Sequence, residues 1–193
     1  MRRDLETRRS VLALSGTAMT ALAGCSGSNS SESGDEESLG LELYYPEPRA
    51  VSTDQNNRDF TVEIQNTGDS GDIAVTFVWL EEANQDIWGA GTEMVQTKER
   101  YYNSDERREI TFTHDVPDRY EGFGFRLWPP QLRTEIYNPG REARIETLLL
   151  NSNEVIKEAE LEIDSDETVE HVFEYDFSQE EPRDIRVEAE VVD

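Results

Sequence analysis

Ile73-Ala74-Val75-Thr76-Phe77-Val78-Trp79-Leu80 is the stretch that decides the fold class. Side chains along a strand point alternately to its two faces. Ile73, Val75, Phe77 and Trp79 therefore share one face, with Ala74, Val78 and Leu80 behind them. Apolar residues on both faces mark a strand covered on both sides. Upstream, Phe60, Val62 and Ile64 alternate with Thr61, Glu63 and Gln65, and Asn66-Thr67-Gly68-Asp69-Ser70-Gly71 reads as the turn between the two strands. Further back, Leu39, Leu41, Leu43 and Tyr45 alternate with Gly40, Glu42 and Tyr44 until Pro46 and Pro48 stop the run. Downstream, Glu81 to Gly91 reads as a loop, and a weaker strand runs from about Glu93 to Lys98. Ile110, Phe112 and His114 form another, ended by Pro117; Phe123, Phe125 and Leu127 form the next, ended by Pro129-Pro130.

The pattern then starts again. Glu135-Ile136-Tyr137-Asn138-Pro139-Gly140 echoes Glu63-Ile64-Gln65-Asn66-Thr67-Gly68, and at the same offset Ile145 falls on Ile73 and Leu149 on Phe77. This is an internal repeat. Ala159, Leu161 and Ile163 alternate with Glu158, Glu160 and Glu162. Val169, Phe173, Tyr175 and Phe177 share a face with His171, and Ile185, Val187, Ala189 and Val191 finish the chain. Glutamates on one face and aliphatics on the other describe antiparallel sheets with one wet face. No segment after residue 39 has a helical period.

A strand, an Asn-x-Gly turn, a buried strand and the later Val169-x-His171-x-Phe173-x-Tyr175 strand resemble the cell-adhesion-related bacterial domain family, whose members are immunoglobulin-like modules on exported proteins. The expected fold is all-β, with two tandem immunoglobulin-like β-sandwich modules after an N-terminal signal helix and a disordered linker. The divisions are residues 1–24 (signal peptide), 25–38 (lipidated cysteine and flexible linker), 39–128 (first module) and 131–193 (second module). The second module is small for an independent core. It either packs on the first or merges with it into one larger sandwich.

The stretch from Met1 to Cys25 follows the order of a secretory signal. Arg2, Arg3, Arg8 and Arg9 form a basic region, and Val11 to Leu22 is uncharged and mostly apolar. That segment is shorter than the ~20 residues a membrane-spanning helix needs. Thr7-Arg8-Arg9-Ser10-Val11-Leu12 resembles the twin-arginine export motif, and Leu22-Ala23-Gly24-Cys25 is similar to a lipobox. The resemblance implies export in a folded state, cleavage before Cys25 and lipid on its sulfur, with the twin-arginine machinery and the membrane as partners. Cys25 is the only cysteine, so the exported part relies on its core and not on disulfides. Ser26 to Ser38 has no apolar residue and reads as a charged tether.

The formal net charge is −25, and removal of residues 1–24 leaves −27. Such a surface repels phosphate backbones, which excludes nucleic acid as a partner. Basic residues are skewed to arginine, with Lys98 and Lys157 the only lysines. Acid excess with scarce lysine resembles proteins of salt-loving archaea. Self-repulsion would loosen the fold in dilute buffer and be screened in molar salt, where the Debye length is ~3 Å.

The sequence assembles no catalytic site. It has no G-x-S-x-G, H-E-x-x-H or phosphate-cradling glycine loop. His114 and His171 lie on apolar-facing positions of separate strands and read as packed core residues. Asp69-Ser70-Gly71-Asp72 and Asp164-Ser165-Asp166-Glu167 are acidic turns without the 12-residue calcium-loop spacing. No cofactor or metal is expected. Trp88, Tyr101, Tyr102, Tyr120 and Trp128 are the candidate contacts for a partner, an envelope protein or glycan. Gly122 and Gly124 leave one face of their strand bare, as a close neighbouring backbone would require. The expected function is that of a non-enzymatic surface lipoprotein at the outer face of the membrane, in structure, adhesion or interaction. The alternative is a substrate-binding or accessory subunit of an envelope transport system.

Overall fold

The computed structural model describes residues 38–192. The expected signal peptide, Cys25 with its lipobox, and the linker up to residue 37 lie outside the described residues. Twelve strands make up the described chain: β1 (Gly40–Tyr44), β2 (Pro48–Asn56), β3 (Asp59–Asn66), β4 (Gly71–Leu80), β5 (Thr92–Tyr102), β6 (Arg107–Thr113), β7 (Gly122–Trp128), β8 (Gln131–Asn138), β9 (Ala143–Asn151), β10 (Glu154–Ile163), β11 (Glu167–Glu174) and β12 (Arg186–Val192). A single 3-10 turn, Phe177–Gln179, follows β11, and no α-helix occurs among the described residues. The strand pairings are antiparallel, in four three-stranded sheets. The fold is all-β.

The sheets pack in two face-to-face pairs. In the first, the sheet β2-β3-β6 faces the sheet β5-β4-β7. Phe60, Val62 and Ile64 of β3 meet Ile73, Val75, Phe77 and Trp79 of β4, with Phe112, Phe123 and Phe125 around them. Phe60 and Phe77 are fully buried with ring centroids 4.9 Å apart. Each such ring contributes about 1.5–3 kcal/mol by leaving water. In the second pair, β1-β8-β11 faces β10-β9-β12. Its interior holds Leu132 and Ile136 of β8, Ile145 and Leu149 of β9, Ile163 of β10 and Phe173 of β11.

The two pairs have the same strand order. Position by position, β8 repeats β3 and β9 repeats β4 at the offset that sets Asn138 on Asn66. Asn66 and Asn138, each buried at a strand end, do equivalent work. The Asn66 amide donates to Asp69 O and Asn103 O, and its oxygen accepts from the Gly68 and Glu47 N–H groups. The Asn138 amide donates to Arg141 O, Ile163 O and Asp164 O, and its oxygen accepts from Gly140 N–H. Each asparagine ties its own turn to the turn between the fourth and fifth strands of the same pair, β5 to β6 in the first and β10 to β11 in the second.

β1 departs from the expected division. It falls within the 39–128 stretch, yet it pairs with β8, from Gly40 opposite Tyr137 to Tyr44 opposite Arg133. Leu41 and Leu43 pack into the second core, and Thr134 Oγ1 donates to Glu42 O. Alternation specifies a strand and its wet face, not its neighbour, so this pairing is invisible to it. The chain then crosses through Tyr45–Glu47 to β2, which runs from Pro48 where the sequence suggested only a stop. Pro48 opens an edge strand, a position that does not need its missing N–H. Pro46 is buried against Gly71, and Thr67 N–H and Asp69 N–H donate to Glu47 O and Tyr45 O.

Candidate functional site

The most elaborate side-chain arrangement lies where the two sheet pairs meet, and it is centred on Arg126. On β7 the inward face carries Phe123 and Phe125, and the opposite face Gly122, Gly124 and Arg126. The loop 81–91 folds back over that second face. A Cβ built on Gly124 would lie 2.5 Å from Ile87 Cγ2, and one on Gly122 would lie 3.2 Å from Ala83 Cα. The bare face is therefore filled by the chain's own loop. Arg126 is 4% exposed. Its Nε donates to Ile87 O at 2.7 Å, Nη1 to Ser178 O at 2.6 Å, and Nη2 to Thr92 Oγ1 at 2.5 Å. Its guanidinium stands 5.0 Å from the Trp88 ring. Burial lowers its proton affinity and the Asp86 carboxylate opposes the shift. One planar fork thus binds the loop, the start of β5 and the 3-10 turn of the second sheet pair.

Around this clamp, Ala74 and Trp128 of the first pair pack with Leu149, Phe177, Ile185 and Val187 of the second. Beside it is an open groove of about 620 Å³. Asp72, Glu99, Glu174 and Asp176 bring four carboxylates to its walls, and Met94 and Trp128 bring apolar surface. Among the described residues, no arginine or lysine lines it. Tyr175, also in the wall, is pushed up to about 12 by donating to Glu180 and by burial. The groove is concave and negative, which favours a cation or a basic peptide over an anion.

The five candidate aromatics are not gathered. Trp88 and Trp128 belong to the junction cluster, and Trp128 is buried. Tyr102, last in β5, turns into the first core and is fully buried, while its neighbour Tyr101 points out at 53% exposure. Tyr120 is half-buried, stacks on Trp79 at 6.0 Å and donates to Glu93. Of the five, Tyr101 and the half-buried Trp88 and Tyr120 offer contact surface. Tyr102 and Trp128 sit inside, because alternation carries each onto a covered face.

His114 stacks on Phe77 at 5.1 Å, and burial lowers the proton affinity of His171. The acidic turn Asp164-Ser165-Asp166-Glu167 is the counterpart of Asn103-Ser104-Asp105-Glu106. In each, the glutamate carboxylate accepts from the backbone N–H of the first residue, and Asp105 and Asp166 hold φ of 61° and 59°. Each of these turns carries the chain from one sheet of its pair to the other, from β5 to β6 and from β10 to β11. Among the described residues, no group of three or more His, Cys, Asp and Glu side chains is spaced to hold a metal ion, and no helix is long and apolar enough to cross a membrane. Sequence reading missed Arg126, although it continues the glycine face of β7.

No family model matches the chain, and no curated protein does. Among solved structures, it is similar to native alpha-2-macroglobulin from Escherichia coli spanning domains NIE-MG1, at 13% identity over 75% of this chain and 96% of that one, with a TM-score of 0.21. It is also similar to the beta-glucosidase from Kluyveromyces marxianus, at 9% identity over 70% of this chain and 15% of that one, again with a TM-score of 0.21. Both scores are too low for either likeness to bear on fold or function.

Proposed function

We propose that the chain is a lipid-anchored surface protein. It leaves the cell through the twin-arginine machinery, is cut before Cys25, and is held by lipid on that sulfur at the outer face of the membrane. There it serves structure, adhesion or interaction with an envelope protein or glycan, without catalysis of its own. The observation that carries this is the order of the chain from Met1 to Ser38: Arg8-Arg9, an uncharged segment, Leu22-Ala23-Gly24-Cys25, then a tether with no apolar residue. Two buried acyl or isoprenoid chains suffice for lasting attachment at about 0.8 kcal/mol per CH₂. The finer reading of the body, two tandem immunoglobulin-like modules, is supported by the shared strand order of the sheet pairs. A source among salt-loving archaea is supported by the acid excess and the two lysines. The test is Cys25→Ser. The parent protein should be found in the membrane fraction with added lipid mass on Cys25, and the variant should be released. A full-length, unlipidated parent protein retained inside the cell refutes the reading.

A second reading, as a substrate-binding or accessory subunit of an envelope transport system, is favoured by the acid-lined groove between the sheet pairs. It requires saturable small-ligand binding by calorimetry that is weakened by Glu99→Gln. Heats that stay flat across cationic and sugar ligands would remove it.

A further inference from the structure

We infer that the second sheet pair stands next to the lipid surface and holds the first out from it. This rests on the lipid foot proposed above, and it follows from the pairing of β1. Because β1 runs antiparallel to β8, the chain enters the folded body beside Tyr137, at the end where β8 gives way to the turn 139–142. That end also holds the turn 164–166, whose Asp166 N–H donates to Asn138 O. Both connections to the first pair leave from the opposite end, through Tyr45–Glu47 after β1 and through Pro129-Pro130 before β8. The eight residues of β8 separate the two ends by about 26 Å at the usual strand rise.

The first sheet pair begins at that opposite end. Its Asn66–Gly71 turn sits against the Tyr45–Glu47 connection. β3 therefore begins, at Asp59, a further strand length from that connection, and the loop 114–121 lies at this remote end, where His114 N–H donates to Arg58 O. The entry point is fixed: Leu41 and Leu43 are packed and the β1 backbone is paired along its length. The stretch from Cys25 to Gly40 has a reach of at most about 50 Å. The end turned to the lipid carries Glu142, Asp164, Asp166 and Glu167 against one cation, Arg141, a net negative charge that anionic headgroups repel. It faces the surface without inserting. The end presented outward carries exposed Val116 with the ion pairs Arg58–Asp115 and Arg119–Glu93, and Asp118 and Glu121 beside them.

The test uses the full, lipidated protein purified from membranes and reconstituted in vesicles of neutral and anionic lipid in molar salt. Lipid consumes the native thiol, so Glu142→Cys and Asp118→Cys can each carry one donor dye, with acceptor dye on the headgroups. Both positions are exposed, and each change removes one negative charge. Energy transfer should be the stronger from position 142, with the heights differing by about 26 Å or more. Equal or reversed transfer, with lipid mass present on Cys25, overturns the orientation and leaves the lipid foot standing. Absence of lipid mass, with both dyes silent, removes the foot and this inference with it.

Discussion

Replacing Arg126 by alanine should be among the most damaging single changes in the body. The side chain is 4% exposed and gives three hydrogen bonds, two of them to backbone carbonyls. A hydrogen bond from a charged donor is worth about 1.5–3 kcal/mol, and each buried carbonyl left without a partner costs about 1–3 kcal/mol. Against this stands the desolvation of the buried guanidinium, a penalty of several kcal/mol that alanine relieves. The balance is a loss of about 3–4 kcal/mol, a large part of the roughly 5–15 kcal/mol total stability usual for a domain. Arg126→Lys should recover only part of it, because an ammonium on a flexible stem cannot span the Ile87, Thr92 and Ser178 acceptors as a planar fork does. The assay is urea unfolding of the released Cys25→Ser protein in molar salt, with protease cleavage of loop 81–91 as the local readout. The midpoint should fall, and the loop should be cut faster. An alanine variant within about 1 kcal/mol of its parent, with a loop no easier to cut, would refute the clamp.

Asn66→Ala and Asn138→Ala should each cost about 2–4 kcal/mol in the same unfolding assay, because each strips a buried turn of several partners; a neutral result at one site only would break the equivalence of the two pairs. The Glu106 carboxyl is held below the usual carboxylate range, first by the Asn103 backbone N–H and then by Arg108. A depressed folded value stabilises above the unfolded pKa of about 4.3 and is lost as pH falls through the folded value, so Glu106→Gln should destabilise at pH 7 and match its parent well below about pH 4 in an acid titration. Glu146 stands between Glu160 and Glu190 in register. Like charges directly opposite repel, so Glu146→Gln should stabilise by about 0.5 kcal/mol in dilute buffer. The gain should vanish in molar salt, and a gain that persisted there would not be electrostatic.

The strands were legible because their alternation is regular, and the constant offset between the two copies located β8 and β9 on β3 and β4. It could not reach the other half of the repeat. The long loop 81–91 stands where the second pair has only the tight turn Ser152-Asn153. Beyond it the matching offset is shorter, by the difference between those two connections and by one residue each in β4 and β5, which are longer than β9 and β10. Asn103-Ser104-Asp105-Glu106 therefore went unmatched with Asp164-Ser165-Asp166-Glu167, which read as an acidic cluster instead. β1 was legible as a strand and β2 was not, since Arg49-Ala50-Val51-Ser52 alternates weakly and a bulge interrupts it between Ala50 and Ser52. The sheet to which β1 belongs follows from tertiary packing alone. Arg126 was hidden for a related reason. A charged residue on a strand face reads as solvated until the loop that covers it is known, and only Gly122 and Gly124 hinted that something lay close.

The acid excess is also built into the register and not merely scattered over the surface. In β10, Ala159, Leu161 and Ile163 turn inward, which forces Glu158, Glu160 and Glu162 outward. Pairing then aligns Glu160, Glu146 and Glu190 across three neighbouring strands, and none of the three is in an ion pair among the described residues. On the opposite sheet, Glu42, Glu135 and Glu170 align in the same way, relieved in part by Tyr44 and Arg133. Neighbouring strands lie about 4.8 Å apart. That spacing is well inside the ~10 Å Debye length at 0.1 M salt and outside the ~3 Å length at 1 M. The first sheet pair sets Glu63 opposite Glu109 but flanks them with the Arg107–Gln65 and Thr61–Thr111 hydrogen bonds. The alternation that supplies the second core thus also stacks its like charges, so salt acts most strongly on that pair. Once the pair loosens, β1 loses the sheet that holds it.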